Sequence, residues 1–192
     1  MQRLLMLALA AVAVTIYSAG AIAGSSQLKG TYGFTSTNAC LYASDGFNAS
    51  FQALGTATSA HVASQGVATF NGDGTGTFTE RNMSITPPPT IGILPDAGAN
   101  ESTASFTYAV TTFPEFTVQI ETFGATVVAG PRAGQTFRLQ GSPLRVGMIS
   151  ADGGTLVTSV LTPGAETLTS SNGEVLHRIC TFSSVFIKLG AD

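Results

Sequence analysis

The chain has 192 residues, a formal net charge of −3, and a charged fraction of only 10%. This length suits a single domain, which can bury roughly two-thirds of the surface of its unfolded chain. Because the sequence contains no basic run, it lacks the electrostatic footprint of a nucleic-acid-binding protein. Frequent Gly, Ser and Thr with few charges predict β-structure whose outer face is mostly neutral.

Residues 1–23 have the pattern of a signal peptide. Arg3 supplies a short positive region, residues 4–16 are apolar, and Ala21-Ile22-Ala23 places small residues before a cleavage site. The apolar run is shorter than the ~20 residues of a membrane-spanning helix, which argues against an anchor. We therefore expect residues 24–192 to form a single exported domain, periplasmic or extracellular, with no membrane span in the mature chain.

The only two cysteines, Cys40 and Cys180, lie near opposite ends of this expected domain. In an exported protein, such a pair indicates one disulfide. The alternative is a reactive or metal-binding thiol, but neither cysteine lies in a C-x-x-C motif or near a pair of histidines. The sequence therefore predicts a Cys40–Cys180 disulfide, no metal and no cofactor.

Three turn motifs punctuate the chain. They are Asn71-Gly72-Asp73-Gly74, Asp152-Gly153-Gly154 and Asn172-Gly173, each between two runs of strand-forming residues. Such Asn-Gly and Asp-Gly pairs supply the positive φ angles that tight hairpin turns require. The motifs predict antiparallel neighbours rather than parallel strands joined by helices.

Alternation of apolar and polar residues predicts an all-β, antiparallel fold of about eight strands. The count treats Gly141-Ser142-Pro143 and Pro163-Gly164 as bends within strands. In an up-and-down barrel of eight strands the first and last are antiparallel neighbours, so Cys40 and Cys180 would meet where the barrel closes. A two-sheet β-sandwich is the alternative. The predicted strands are 29–42, 59–70, 75–85, 101–110, 115–128, 135–150, 155–169 and 174–189.

Two segments leave alternatives open. Both faces of the last strand are apolar near its end, which indicates either a bulge at Ser183-Ser184 or a strand covered on both sides. The proline-rich stretch 87–99 cannot donate to a ladder, so we expect a loop there. Its three large apolar residues would form either a lid over an opening or a contact with the outside of the sheet.

No catalytic motif is found. The two histidines, His61 and His177, lie at or near predicted strands, and the sequence contains no nucleophile-elbow, zinc-protease, Walker or dinucleotide motif. The sequence therefore favours a protein that is not an enzyme and assigns no catalytic residue. Any active site is expected around Glu174, His177 and Arg178. Five glutamates could supply a carboxylate pair for glycoside hydrolysis: Glu80, Glu115, Glu121, Glu166 and Glu174.

Short stretches at the two ends of the chain resemble a known group of barrels. Gly30-Thr31-Tyr32 opens the first strand and Arg178 lies on the last. This resembles the calycin (lipocalin-like) arrangement, in which an Arg from the last strand covers a G-x-W near the first, although Tyr replaces Trp here and a second, Thr-Asp-Tyr-type motif is missing. The chain is also similar to small exported bacterial barrels that open with G-T-Y, whose shape resembles allene-oxide-cyclase-like barrels. The resemblance implies a barrel.

Two functions fit these expectations, ahead of an enzyme. The first is a monomeric or small oligomeric barrel that binds a small apolar or amphipathic ligand, with His177 and Arg178 as a polar site. The alternative is a structural or interaction protein of the envelope, with a solid core and no ligand. The inward stripe would either line the ligand site or fill the core: Tyr32, Phe34, Phe106, Tyr108, Phe116, Val118, Ile120 and Phe182.

Overall fold

The computed structural model describes residues 28–87 and 96–190, which form ten β-strands and no helix. The predicted signal peptide and most of the proline-rich loop lie outside these residues, although the last four residues of the predicted loop belong to β4. The strands are β1 (Lys29–Ala43), β2 (Ala57–Asn71), β3 (Thr75–Thr86), β4 (Asp96–Thr112), β5 (Glu115–Ala129), β6 (Thr136–Gln140), β7 (Arg145–Ile149), β8 (Thr155–Ser159), β9 (Ala165–Ser170) and β10 (Val175–Lys188).

The sheet closes on itself as a ring of eight strand positions. Strands β1 to β5 pair in chain order, and β5 then pairs with both β6 and β7. The last strand, β10, pairs with β8 and β9 on one side and with β1 on the other. The predicted antiparallel barrel is therefore confirmed, and the sandwich alternative is not adopted. Ring closure leaves no long unpaired edge along β1.

Two ring positions are each built from two short strands separated by a break. Residues 141–144 separate β6 from β7, and residues 160–164 separate β8 from β9. Pro143 and Pro163 lie in these breaks, because a proline nitrogen cannot donate to a ladder. The two breaks abut, since a Cβ built on Gly164 would lie 2.9 Å from the Pro143 Cβ. The predicted bends within the sixth and seventh strands are thus confirmed.

The predicted disulfide is formed. Cys40 and Cys180 are direct partners in the β1–β10 pairing, with their Cα atoms 4.1 Å apart. The bond joins residues separated by 140 positions, so it links the first and last strands where the ring closes. No other cysteine is present in the sequence.

The last strand differs from both alternatives offered by its sequence. Its pairing with β1 runs without a register shift from Val185 through Ser183–Ser184 to Cys180, so no bulge exchanges its faces. Its outward residues are not covered either, since Val185 is 40% and Ile187 60% exposed. Both expectations were wrong because the inward residues of β10 alone meet the core, while none of residues 28–87 and 96–190 forms a second layer outside the ring.

The two halves of the interior are filled differently. We call the end with the hairpin turns 72–74, 113–114 and 150–154 the lower end, and the opposite end the upper end. Hydroxyl groups close the lower end: Tyr108 donates to the Leu28 carbonyl at 2.6 Å, and Tyr32 donates to the Gly153 carbonyl at 2.8 Å. The lower half is packed by buried side chains: Leu28, Tyr32, Ala68, Phe70, Ala104, Phe106, Tyr108, Val110, Phe116, Val118, Ile120, Ile149 and Leu156.

Candidate ligand cavity

The upper half of the barrel encloses a cavity of about 290 Å³. Its floor is the aromatic layer of Phe34, Phe78 and Phe186, which packs against the lower core. It extends upward to residues at the strand ends, including Thr86 and Arg132. The cavity therefore lies inside the ring, and the same inward alternation that builds the core supplies its lining.

One wall of the cavity is polar. It is built from β1 to β4, and Ser and Asn are the commonest of its inward residues above the aromatic floor, although Glu80, Asp96 and apolar residues such as Val62 also lie there. Some of these side chains bond to one another: Asn100 donates to Asn82 at 2.8 Å, and Asn82 donates to Ser102 at 3.2 Å. The Ser and Asn residues of this polar wall that line the cavity are Ser36, Asn38, Ser64, Asn82, Ser84 and Asn100.

The opposite wall is apolar. It is built from β5, β6, β9 and β10, and its centre is the buried cluster of Val127, Phe137 and Leu168. A ligand in the cavity would therefore contact hydrogen-bonding groups on one side and hydrocarbon on the other. The residues of this apolar wall are Phe123, Ala125, Val127, Phe137, Leu139, Leu168 and Leu176.

Charged side chains also lie in this half of the interior, besides Asp96 and Arg132 at the strand ends. Arg178 Nε donates to Glu166 Oε2 at 2.7 Å, and the Glu166 side chain is 0% exposed. The guanidinium carbon of Arg145 lies 4.5 Å from the centre of the Phe182 ring, a cation–π contact. Glu80 projects into the cavity from the polar wall. An ion pair taken out of water is costly unless its remaining hydrogen bonds are satisfied. A cluster of charged side chains in this position is therefore not expected in a core that only stabilises the fold.

The environment shifts the pKa values of Glu80, Arg145 and Arg178. The pKa of Arg178 is raised, because the effect of burial, which lowers it, is outweighed by Glu166 and Tyr42 together. Burial raises the pKa of the Glu80 carboxyl above its ordinary value of 4.5, and attraction to Arg145 only partly offsets this. Burial also lowers the pKa of the Arg145 guanidinium, while Glu166 and Glu80 act in the opposite direction. Because arginine is not deprotonated in proteins, Arg145 is a cation at neutral pH.

Unpartnered polar atoms concentrate at the abutting breaks. Ser142 Oγ, Arg145 Nε and Glu166 Oε1 are buried and have no hydrogen-bond partner in the described part of the chain. Gly141 brings these segments together, since a Cβ built on it would lie 2.9 Å from the Ala165 carbonyl oxygen. Native proteins satisfy most buried polar atoms, so this region of the wall is chemically unusual.

The structure divides the predicted ligand-lining residues between the two halves. Phe34 and Phe182 line the cavity. The other six belong to the lower core, which is the solid-core alternative for that stripe: Tyr32, Phe106, Tyr108, Phe116, Val118 and Ile120.

The predicted polar pair is separated by strand alternation. Arg178 faces the cavity, whereas its neighbour His177 points to the outside, where a Cβ built on Gly46 would lie 3.6 Å from its ring. His177 Nδ1 lies 3.3 Å from Thr167 Oγ1. The two side chains therefore do not form one site.

The arrangement implied by the calycin resemblance is not formed. Arg178 is paired with Tyr42, whereas Tyr32 is paired with Lys188 at the other end of the β1–β10 ladder. The last-strand arginine consequently lies in the upper half, and the tyrosine of the Gly30-Thr31-Tyr32 stretch closes the lower half.

Comparison with known proteins gives no match for this chain. No family model, no curated protein and no solved structure matches this chain. Residues 28–87 and 96–190 contain no helix that is long and apolar enough to cross a membrane. Within the same residues, no group of three or more His, Cys, Asp or Glu side chains is placed to hold a metal ion. The cavity itself therefore carries the functional argument.

The sequence named Glu80 and Glu166 as candidate carboxylates and Arg178 as part of a polar site. It missed Arg145 and the Ser and Asn residues of the polar wall. Inward alternation continues along β1 from Phe34 to Ser36 and Asn38, and along β3 from Phe78 to Glu80 and Asn82. Continuing the inward alternation of each strand beyond its last aromatic residue would have identified these polar residues. Arg145 and Glu166 follow the breaks, where the phase cannot be carried across from the preceding strand.

Proposed function

We propose that this protein is an exported β-barrel that binds one small amphipathic molecule in its upper cavity. The observation that carries the proposal is the pair of unlike walls, polar along β1 to β4 and apolar along β5, β6, β9 and β10. A core that only stabilised the fold would gain nothing from a cavity, since buried voids lose packing contacts.

The size of the cavity limits the ligand. Ligand pockets commonly span roughly 300–1,000 Å³, and a cavity of about 290 Å³ lies at the small end of that range. A compact aromatic or a medium-length hydrocarbon chain with one polar group fits this volume, whereas a large lipid does not. The export expected from the N-terminal pattern would place such a carrier in contact with molecules of the envelope or the medium.

The proposal is tested by titrating the disulfide-bonded protein with N-phenyl-1-naphthylamine, a neutral, apolar fluorescent amine. Saturable enhancement with a stoichiometry of one is expected. Ala125→Phe places a ring in the cavity and should weaken binding by about tenfold or more, which corresponds to ~1.4 kcal/mol. The matched control is Val157→Phe on the outer face, where Val157 is 44% exposed, and this change should leave the affinity unaltered.

Equal affinities for the two variants, or no saturable binding by the native protein, would overturn the proposal. The outer face would then be the candidate functional surface, as in the alternative of a structural or interaction protein. An apolar surface is present there, because Val185 is paired with Val157 and Ile187 with Thr155 across β10 and β8, and all except the threonine are exposed hydrophobic residues.

A further inference from the structure

We infer that the ligand carries a carboxylate-type anionic group and that the Arg145 side chain binds it in the cavity. The inference rests on the proposed function, because it names the chemistry of the molecule that the cavity takes. It depends on how two arginines of the cavity differ.

Arg178 is already engaged and Arg145 is not. Arg178 forms a 2.7 Å ion pair with Glu166. For Arg145, no carboxylate of residues 28–87 or 96–190 lies within salt-bridge distance, and its buried Nε has no hydrogen-bond partner there. Arg145 is half-buried, and a cation withdrawn from water without a paired charge is costly, so a negatively charged partner on the ligand would stabilise it.

The contact with Phe182 orients the Arg145 guanidinium. The guanidinium carbon lies over the face of the Phe182 ring, 4.5 Å from the ring centre. This contact holds Arg145 in the cavity wall without supplying an oxygen acceptor to its N–H donors. Arginine presents such donors as a rigid fork that matches a carboxylate.

The pairing of the charges at the cavity favours an anion over a cation. Glu166 is paired with Arg178 and Glu174 with Arg132, while the carboxylates of Glu80 and Asp96 also line the cavity. Glu80 forms no ion pair with Arg145, and Asn82 approaches its Oε1 only at 3.4 Å. Burial moreover raises the pKa of Glu80, which favours its neutral form. Arg145 is thus the cavity arginine that has no paired carboxylate within residues 28–87 and 96–190.

The apolar wall provides space for the rest of such a ligand. Phe137, Leu139 and Leu168 line the cavity with Arg145, so one molecule could contact the guanidinium and the hydrocarbon surface together. The compatible class is a small monocarboxylate with an aliphatic or aromatic body. A fully hydrophilic anion would leave the apolar wall without a partner.

The test compares decanoate with decan-1-ol, which share a ten-carbon chain and differ in the head group. Both are titrated at pH 8 as competitors of bound N-phenyl-1-naphthylamine. Hydrogen bonds to charged groups contribute about 1.5–3 kcal/mol, so decanoate should bind about 10- to 100-fold more tightly than the alcohol. Arg145→Met should abolish this preference without weakening decan-1-ol, and Arg145→Lys should retain part of it.

Arg138→Met is the matched control, because it removes one positive charge from an exposed position on β6 and should leave the preference intact. Glu80→Gln provides an independent variant should Arg145→Met fail to fold. It removes the competing carboxylate and should tighten decanoate binding while leaving decan-1-ol unchanged.

Three results would overturn the inference. They are equal binding of acid and alcohol by the native protein, a preference that survives Arg145→Met, and Glu80→Gln having the same effect on both competitors. In each case continued binding of the neutral probe would leave the proposed function standing. Failure of the neutral probe itself to bind would overturn both proposals together.

Discussion

The two halves of this barrel share a wall but differ in what fills it. In the lower half, large rings face positions without side chains: a Cβ built on Gly76 would lie 2.3 Å from the Phe106 ring, and one on Gly147 would lie 2.5 Å from the Phe116 ring. In the upper half, small residues such as Ala60 and Gly98 face the interior, and no ring fills the space before them. The ring of strands therefore does not determine whether its interior is solid.

The polarity of the two halves differs in the same direction. The lower half uses polar atoms mainly at its closed end, where tyrosine hydroxyls bond to backbone carbonyls. The upper half places Ser, Asn and charged side chains along the inner wall. A solid half thus supports a hollow one, which is how a small domain can hold a functional cavity while remaining stable.

Removing the disulfide should lower the free energy of unfolding strongly, and it should do so mainly through the hollow upper half, where the bond lies. In the chain-entropy model, a loop closed over 140 positions contributes about 5 kcal/mol, and measured losses for native disulfides are about 2–5 kcal/mol. We expect Cys40→Ala/Cys180→Ala to lower the free energy of unfolding in urea by an amount within that range.

Amide hydrogen exchange on the same variant would show which half of the barrel loses stability. In the disulfide-free variant, amides near Cys40 in the upper half should lose more protection than those near Phe70, which the aromatic core still holds. A uniform loss of protection, or a change in unfolding free energy below about 1 kcal/mol, would contradict the expected division of roles between packing and cross-link.

Truncating one side chain in each half should distinguish the solid half from the hollow half by the loss in free energy of unfolding. Phe70 is 2% exposed and contacts four other aromatic rings, including those of Tyr32 and Phe106. Phe70→Ala should therefore cost about 3–5 kcal/mol of unfolding free energy. Leu168→Ala removes a side chain that already borders the cavity, so its cost should lie near ~2 kcal/mol, the lower end for such changes.

Equilibrium urea denaturation of both variants, with the disulfide intact, measures the difference. Equal costs would mean that the upper half is packed as tightly as the lower half, and would contradict the interpretation of the cavity as a site that tolerates a change of volume.

The sequence predicted the wall of this barrel better than its contents. Turn chemistry at Asn71-Gly72 and Asp152-Gly153, and alternation along β4 and from Phe116 to Ile120 on β5, fix strand order and direction locally. The disulfide was predicted from the only two cysteines of a chain expected to be exported, and an even number of strands was consistent with its position. These features depend on neighbours in sequence or on one long-range pair, so the sequence alone expresses them.

The cavity depends on distant residues that meet only in the folded ring. Phe34 lines the cavity and Phe106 fills the core, yet both have the same residue type and the same inward phase. What separates them is their surroundings in the folded ring: Phe106 packs against Gly76 and Phe70, whereas Phe34 lies in the aromatic layer below the cavity. Arg145 follows a strand break, where alternation loses its reference, and so its inward direction could not be predicted.

Neutralising Glu80 should have the smallest effect and the opposite sign. Because the pKa of Glu80 is raised in the folded protein by burial, its ionised form is less stable there than in the unfolded chain. Glu80→Gln should therefore increase the free energy of unfolding at pH 7, by less than either core substitution lowers it.

The pH dependence of the free energy of unfolding provides a control for the Glu80→Gln prediction. The native protein should recover stability as the pH falls through the raised pKa of Glu80 toward 4.5, the ordinary value at which the unfolded chain takes up its proton. The advantage of Glu80→Gln should shrink over this window. Asp73 and Asp152 do not interfere, because hydrogen bonds lower the pKa of each, and their contributions are lost only below pH 3.8. Urea unfolding of both proteins from pH 7 to 4.5 measures the difference. If it were constant with pH, the carboxylate would not be desolvated by the cavity, and the upper half would be wetter than its walls indicate.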